Sequence, residues 1–169
     1  MATLVAFDPG LRGTGVAVFQ DGQLMRCAYV KSPNLRGRGA KAWRDMGLAV
    51  ATWVFEGSPW SVNPHEVAHE QMQVYRAGLQ KGNPNDLLEL SGVCGWAAAL
   101  LEPDSVVSYL PRKWKGQVPK DVHHRRIKAA MSEVEHDALH DAKCPKSLEH
   151  NVLDAIGIGL FHLGRVRGG

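Results

Sequence analysis

Residues 4–18 read LVAFDPGLRGTGVAV, and this stretch decides the fold. Leu4-Val5-Ala6-Phe7 is an apolar run too short for a helix and suited to a buried strand. Pro9-Gly10 marks a turn, and Gly13-Thr14-Gly15-Val16-Ala17-Val18 opens a second strand, so a β-hairpin is expected. Asp8 stands near the end of the first strand, beside the turn. A carboxylate there is carried by a rigid element and can face a cleft. That suits a metal ligand or a phosphate-site residue. Asp is equally at home stabilising a turn, and the hairpin alone does not separate these roles.

Working outward, Asp21-Gly22 makes a tight turn into a third strand over 23–31, giving three antiparallel strands. A Gly- and Arg-containing loop over 32–39 leads to a helix over 40–55, where apolar residues recur at near-helical spacing. Residues 65–71 (HEVAHEQ) read as a short strand with Glu70 at its end. Residues 72–85 read as loop. Asp86 is a candidate cap for a helix over 87–101 that is apolar on most of its circumference, hence buried or in contact with another subunit. A strand over 105–110, a helix over about 120–133, a short helix within 135–146 and a closing helix over 147–166 with Ser147 as its cap complete the chain. Three antiparallel strands followed by alternating helix and strand predict an α/β fold with a mixed sheet.

A length of 169 residues is expected to form one domain with a proper core. No apolar run reaches 18 residues, so no membrane span is expected, and MATLVAFDPG does not read as a signal peptide. The cysteines, Cys27, Cys94 and Cys144, are odd in number and far apart, which suggests reduced thiols and a cytoplasmic location. The net charge is only +3, but residues 31–44 and 110–128 together hold twelve of the 20 Lys and Arg and a single acid, Asp121. Such clustering marks a polyanion partner, most often nucleic acid, unless it is simply a solvated basic face.

Three elements each carry one candidate acid: Asp8, Glu70 and Asp154. Asp154 lies within Val152-Leu153-Asp154-Ala155-Ile156-Gly157-Ile158, where a charge needs a partner or a metal unless it falls on an exposed stripe. His150 and Asn151, four and three positions earlier, share its helix face. Hard oxygen ligands from separate elements suit Mg²⁺ or Mn²⁺ rather than zinc. Two such ions can activate a water and stabilise a leaving oxygen in phosphodiester hydrolysis. His136, His140 and Cys144 also fall at a spacing of four, but three soft ligands among solvent-friendly neighbours make a weak zinc signal.

With these motifs in hand, the chain resembles the RuvC family of Holliday junction resolvases, within the RNase H-like superfamily. Phe7-Asp8-Pro9-Gly10 with Gly13-Thr14-Gly15 is similar to the family's first motif, His69-Glu70-Gln71 to its second, and Asn151-Val152-Leu153-Asp154-Ala155-Ile156-Gly157 to its last. Residues 114–120 (WKGQVPK) are similar to phage-type members. The resemblance implies a five-stranded mixed sheet, three antiparallel strands then parallel ones, flanked by helices. It implies a Mg²⁺- or Mn²⁺-dependent endonuclease with two ions per active site. It also implies a homodimer, with the 87–101 helix at or near its interface, nicking a four-way junction symmetrically. Forks or flaps as substrates, or a catalytically impaired junction binder, are the alternatives. The family usually places an acid or a histidine three residues before the last aspartate. Asn151 stands there instead, and His150, then Asn151, then Glu149 are the candidates for the missing function. Candidate phosphate contacts are Arg36, Arg38, Arg112, Lys113, Lys115, Lys120, Arg125 and Arg126. Tyr75 and Trp114 are candidates for stacking on unpaired bases, with ordinary packing as the alternative for each.

Overall fold

The computed structural model describes residues 2–56, 63–74 and 83–168. Strands β1 (Thr3–Asp8), β2 (Gly13–Gln20) and β3 (Gln23–Lys31) form the antiparallel unit. Helix α1 (Gly39–Glu56), strand β4 (Glu66–Glu70), helix α2 (Pro84–Leu101) and strand β5 (Ser105–Tyr109) follow, and then helices α3 (Pro111–Trp114), α4 (Lys120–Ala130), α5 (Glu133–Asp141) and α6 (Glu149–His162). The sheet order is β3-β2-β1-β4-β5, with β4 parallel to both β1 and β5. The expected mixed five-stranded sheet is therefore present.

β1 explains the two-layer packing. Its apolar run is continuous because both of its faces are covered. Leu4 and Ala6 join a core with Phe19, Trp114, Ile127 and the apolar face of α6. Val5 and Phe7 join the opposite core with Val16, Val67, Val50 and Val93, under α1 and α2. The sheet is thus sandwiched, and the C-terminal ends of β1 and β4 open at one edge.

Helix boundaries differ from expectation where caps were misread. α2 begins at Pro84, not Leu87, because the Asn83 side chain accepts a hydrogen bond from the Asn85 N–H and Pro84 suits the first turn. α4 ends at Ala130. Ser132 then caps α5 in a box with Glu135, so α5 starts two residues before the expected segment. α6 starts at Glu149 after Leu148, without a side-chain cap, so Ser147 does not cap it. The basic stretch after β5, to which the sequence reading assigns no element, contains the short helix α3. Cys27, Cys94 and Cys144 are all free thiols. None of the described helices is long and apolar enough to cross a membrane.

Glu135 does more than close a capping box. Fully buried, it accepts from the Leu24 N–H at 2.9 Å and receives both Arg165 guanidinium nitrogens, at 2.6 and 2.7 Å. Arg165 also donates to the carbonyls of Gly22 and Ala130. This clasp ties α5 and the C-terminal segment to the β2–β3 turn. Burial alone would raise the Glu135 carboxyl, but the Arg165, Leu24 and Ser132 donors outweigh it and bring it to about 2. A depressed carboxyl stabilises the fold above its unfolded value of about 4.3. That contribution disappears as pH falls from about 4 towards 2. Glu135→Ala should cost about 3 kcal/mol in urea unfolding at pH 7, because it strands Arg165 and a buried N–H. The deficit relative to the parent should shrink as the pH is lowered through that window. A variant as stable as the parent at pH 7 would remove this role.

Candidate active site

Asp8 leaves β1 opposite Gly15 of β2, and Phe7 pairs with His69 in the parallel register, so Asp8 and Glu70 end neighbouring strands at one sheet edge. The Phe7 and His69 rings stack, with centroids 5.2 Å apart, beneath that edge. The β1–β2 turn is held by Thr14, fully buried, whose hydroxyl meets both the N–H and the carbonyl of Gly10. The third acid arrives on α6, which crosses β1 and β2. Gly15 permits that approach: a Cβ there would stand 2.0 Å from the Asn151 carbonyl oxygen. Gly157 does the same on α6, where a Cβ would press into Ile127 and Trp114 at 2.5 and 2.9 Å. Asp154, one turn into α6, is buried and faces the strand ends.

The three carboxylates share one cation. The Lys115 ammonium lies 3.0 Å from Glu70 Oε2 and 3.2 Å from Asp154 Oδ2. Burial works against its charge, but Glu70, Asp154 and Asp8 together raise its pKa above the ordinary lysine value. Trp114 donates its indole N–H to Glu70 Oε2 at 3.2 Å. His124 Nε2 lies 3.0 Å from Asp154 Oδ1. Burial pushes Asp154 up, but the hydrogen bond from His124 and the charge of Lys115 outweigh it, and its pKa falls below the usual range. Asp8 has less relief: burial, then the negative charges of Asp154 and Glu70, outweigh the nearby charges of Lys115 and Lys120 and hold its carboxyl well above the usual range.

Among the described residues no three His, Cys, Asp or Glu side chains close on a single point as they stand. The donor set nevertheless fits a hard divalent ion: three oxygen ligands on three separate elements, all attracting one cation into the space between them. Beside this edge an open cleft of about 680 Å³ runs along the β1–β2 turn, lined by Gly10, Arg12, Tyr29, Arg36, Arg38 and Asn151 among others.

No protein-family model and no curated protein sequence matches the chain. Solved structures do. Thermus thermophilus RuvC in complex with a Holliday junction substrate superposes with a TM-score of 0.62 at 17% identity, covering 99% of each chain. Thermus thermophilus RuvC in a second structure gives 0.60 at 18% identity, over 96% of this chain and 95% of that one. This chain has the RuvC fold. The yeast mitochondrial Holliday junction resolvase is more distant, with a TM-score of 0.52 at 11% identity, over 97% of this chain and 82% of that one.

Within the RuvC fold, the expected site residues divide. Asp8, Glu70 and Asp154 come together. Of the three groups expected to complete them from α6, Glu149 pairs with Lys128 at 2.7 Å, the Asn151 amide nitrogen donates to the Leu148 carbonyl at 3.5 Å, and burial lowers the pKa of the His150 ring. One expected DNA contact needs correction. Trp114 is 1% exposed, packed under Gly157 and hydrogen-bonded to Glu70, so it is not free to stack on a base. Lys115, an expected phosphate contact, is partly exposed and lies against Glu70 and Asp154, because α3 turns it back towards the sheet edge. Arg36, Arg38, Arg112, Lys113, Lys120, Arg125 and Arg126 are exposed, with Arg38 paired to Asp86 and Arg125 to Asp121. Tyr75 lies outside the described residues. His136 bonds to the Lys128 carbonyl and Cys144 to that of Pro145, so the zinc pattern forms no site. Sequence reading missed Arg12, exposed in the cleft, and His124, whose ring lies 3.0 Å from Asp154.

Proposed function

We propose that this chain is a divalent-metal-dependent endonuclease that resolves four-way DNA junctions by paired, symmetric nicks. The observation that carries this reading is the gathering of Asp8, Glu70 and Asp154 at the open edge of a RuvC fold, with Lys115 against Glu70 and Asp154 and Asp8 adding its charge. Asp8, Glu70 and Asp154 would hold two Mg²⁺ or Mn²⁺ ions, which when bound supply an activated water and charge stabilisation at the leaving oxygen. Trp114 fixes one oxygen of Glu70 and so orients its carboxylate. Lys115 is the cation nearest any phosphate brought to the acids. Arg12, Arg36 and Arg38 line the approach to the edge, and Arg112, Lys113, Lys120, Arg125 and Arg126 flank α3 and α4. These groups position a backbone without reading sequence.

A two-fold substrate calls for a two-fold enzyme. α2 supports a dimer by leaving Leu88, Ser91, Gly95 and Ala99 exposed along one side while Val93, Cys94, Ala97 and Leu101 pack inward. A second reading, a junction binder that does not cut, is favoured by Asn151 in the last motif. The separating experiment is cleavage of a labelled four-way junction, a Y-fork and linear duplex with Mg²⁺, with Mn²⁺ and without metal. Paired nicks at the junction branch, dependent on metal and absent on duplex, are expected. Tight junction binding without cutting under any metal would select the second reading, and cutting confined to the fork would reassign the substrate.

A further inference from the structure

Asp154 uses both of its oxygens. One meets Lys115, and the other lies 3.0 Å from His124 Nε2 on α4. We infer that His124 is the fourth donor of the cation site, supplied from α4 rather than from α6. The inference rests on the nuclease reading of that site and deepens it.

Three observations carry it. First, the α6 side chains nearest in sequence are directed elsewhere: Glu149 pairs with Lys128 at 2.7 Å, and the Asn151 amide nitrogen turns back to the Leu148 carbonyl of its own chain segment at 3.5 Å. Second, His124 is held rather than waving. Its side chain is 15% exposed. α4 is anchored on that side by Ile127, fully buried, and by His123, whose ring meets Trp114 edge-on at 4.9 Å. Trp114 in turn bonds Glu70, so the element that presents His124 is braced against a second site acid. Third, the spacing suits shared ligation. His124 Nε2 and Asp154 Oδ1 are hydrogen-bonded at 3.0 Å; an octahedral ion with bonds of about 2.1 Å would hold adjacent ligands at about 3 Å, the proton shared between them being released to solvent when the ion binds. An imidazole nitrogen among carboxylates is compatible with Mn²⁺, and the Asp154 oxygen beside it already fixes the ring's direction.

The test is uptake of Mn²⁺ by the whole chain without DNA, followed by electron paramagnetic resonance. Free Mn²⁺ gives the affinity, and electron spin-echo modulation reports a directly bound imidazole nitrogen. The parent should show that nitrogen signal. H124Q, which keeps a side chain able to bond Asp154, should lose the signal and bind Mn²⁺ about 10-fold or more weakly. H150Q should retain both. H124D should recover affinity without the nitrogen signal, which a merely structural role for His124 would not produce. Circular dichroism of each variant checks the fold. D154N separates the two levels of the argument. If D154N loses Mn²⁺ while H124Q keeps parent affinity and signal, His124 is not a donor and the acid site stands. A nitrogen signal lost in H150Q but not in H124Q returns the fourth donor to α6 and overturns the inference. If the parent takes up no Mn²⁺, or D154N takes it up as the parent does, the cation-site reading fails and the inference with it.

Discussion

Asp8→Asn is expected to melt at a higher temperature than the parent chain at pH 8 and to cut junctions at least about 1000-fold more slowly, a loss of about 4 kcal/mol of barrier lowering. The two effects share one cause. Asp8 is held among Asp154 and Glu70 with burial already against its charge, so its carboxyl is raised well above the usual range. A raised acid binds its proton more tightly folded than unfolded, so its ionisation opposes folding. The opposition is absent below about pH 3 and grows as pH rises past the ordinary carboxylate value of about 4. An amide of the same shape removes it. The gap between variant and parent should therefore open with rising pH, each kcal/mol appearing as about 2–4 °C for a domain of this size. Added Mn²⁺ should narrow or reverse the gap, since ligand binding stabilises the chain that keeps the full set of oxygens. Junction binding should stay within a few-fold, because the exposed arginines and lysines are untouched. Equal melting temperatures at pH 8, or parent-like cutting, would show that Asp8 is not crowded by charge at the reacting centre.

That crowding also explains why the acids were legible in the sequence. A carboxylate that ends a short apolar strand, or interrupts an apolar helix, is out of place by the ordinary rules of burial. Asp8 and Asp154 both announce themselves in this way, whereas Glu70 ends a short strand whose only apolar residues are Val67 and Ala68, and it was legible chiefly through the resemblance of His69-Glu70-Gln71 to the family's second motif. The hairpin and the sheet were legible for a related reason: β1 is apolar on both faces, and the turns at Pro9-Gly10 and Asp21-Gly22 leave little choice of connection.

The groups around the acids were not legible. Trp114 and Lys115 sit in a run of cations, where local composition says solvent and DNA. Their direction is set by a single turn of helix, α3, and by the room that Gly157 leaves forty residues later, a tertiary fact with no local signature. His124 is hidden by its neighbours for the same reason: one side of α4 is basic and exposed, and the other reaches Asp154. Two boundaries were within reach. Asn83-Pro84 and Ser132-Glu133-Val134-Glu135 carry the cap signals that start α2 and α5. Glu135 reads as a surface cap residue because nothing near it in sequence foretells Arg165.

Gly15→Ala should do the most damage for a single methyl group. The added carbon would stand 2.0 Å from the Asn151 carbonyl oxygen, 2.5 Å from its carbon and 3.0 Å from the Val152 nitrogen. All three are backbone atoms, so no rotamer change relieves the clash. β2 is locked by pairing to β1 and β3 on either side, so the element that yields is α6, and with it Asp154. The cost should be about 3 kcal/mol, the upper part of the usual range for overpacking, because the obstruction is main chain. Cutting should fall about 100-fold in the fraction that stays folded, as a displacement of order 1 Å separates Asp154 from Asp8 and Glu70. Binding of a junction should survive, which distinguishes a moved acid from an unfolded chain. The same reasoning predicts weaker Mn²⁺ uptake by Gly15→Ala even where circular dichroism shows a folded protein. Parent-like stability together with parent-like cutting would mean that α6 does not rest on β2 at Gly15, and the close approach that brings the third acid to the strand ends would have to be abandoned.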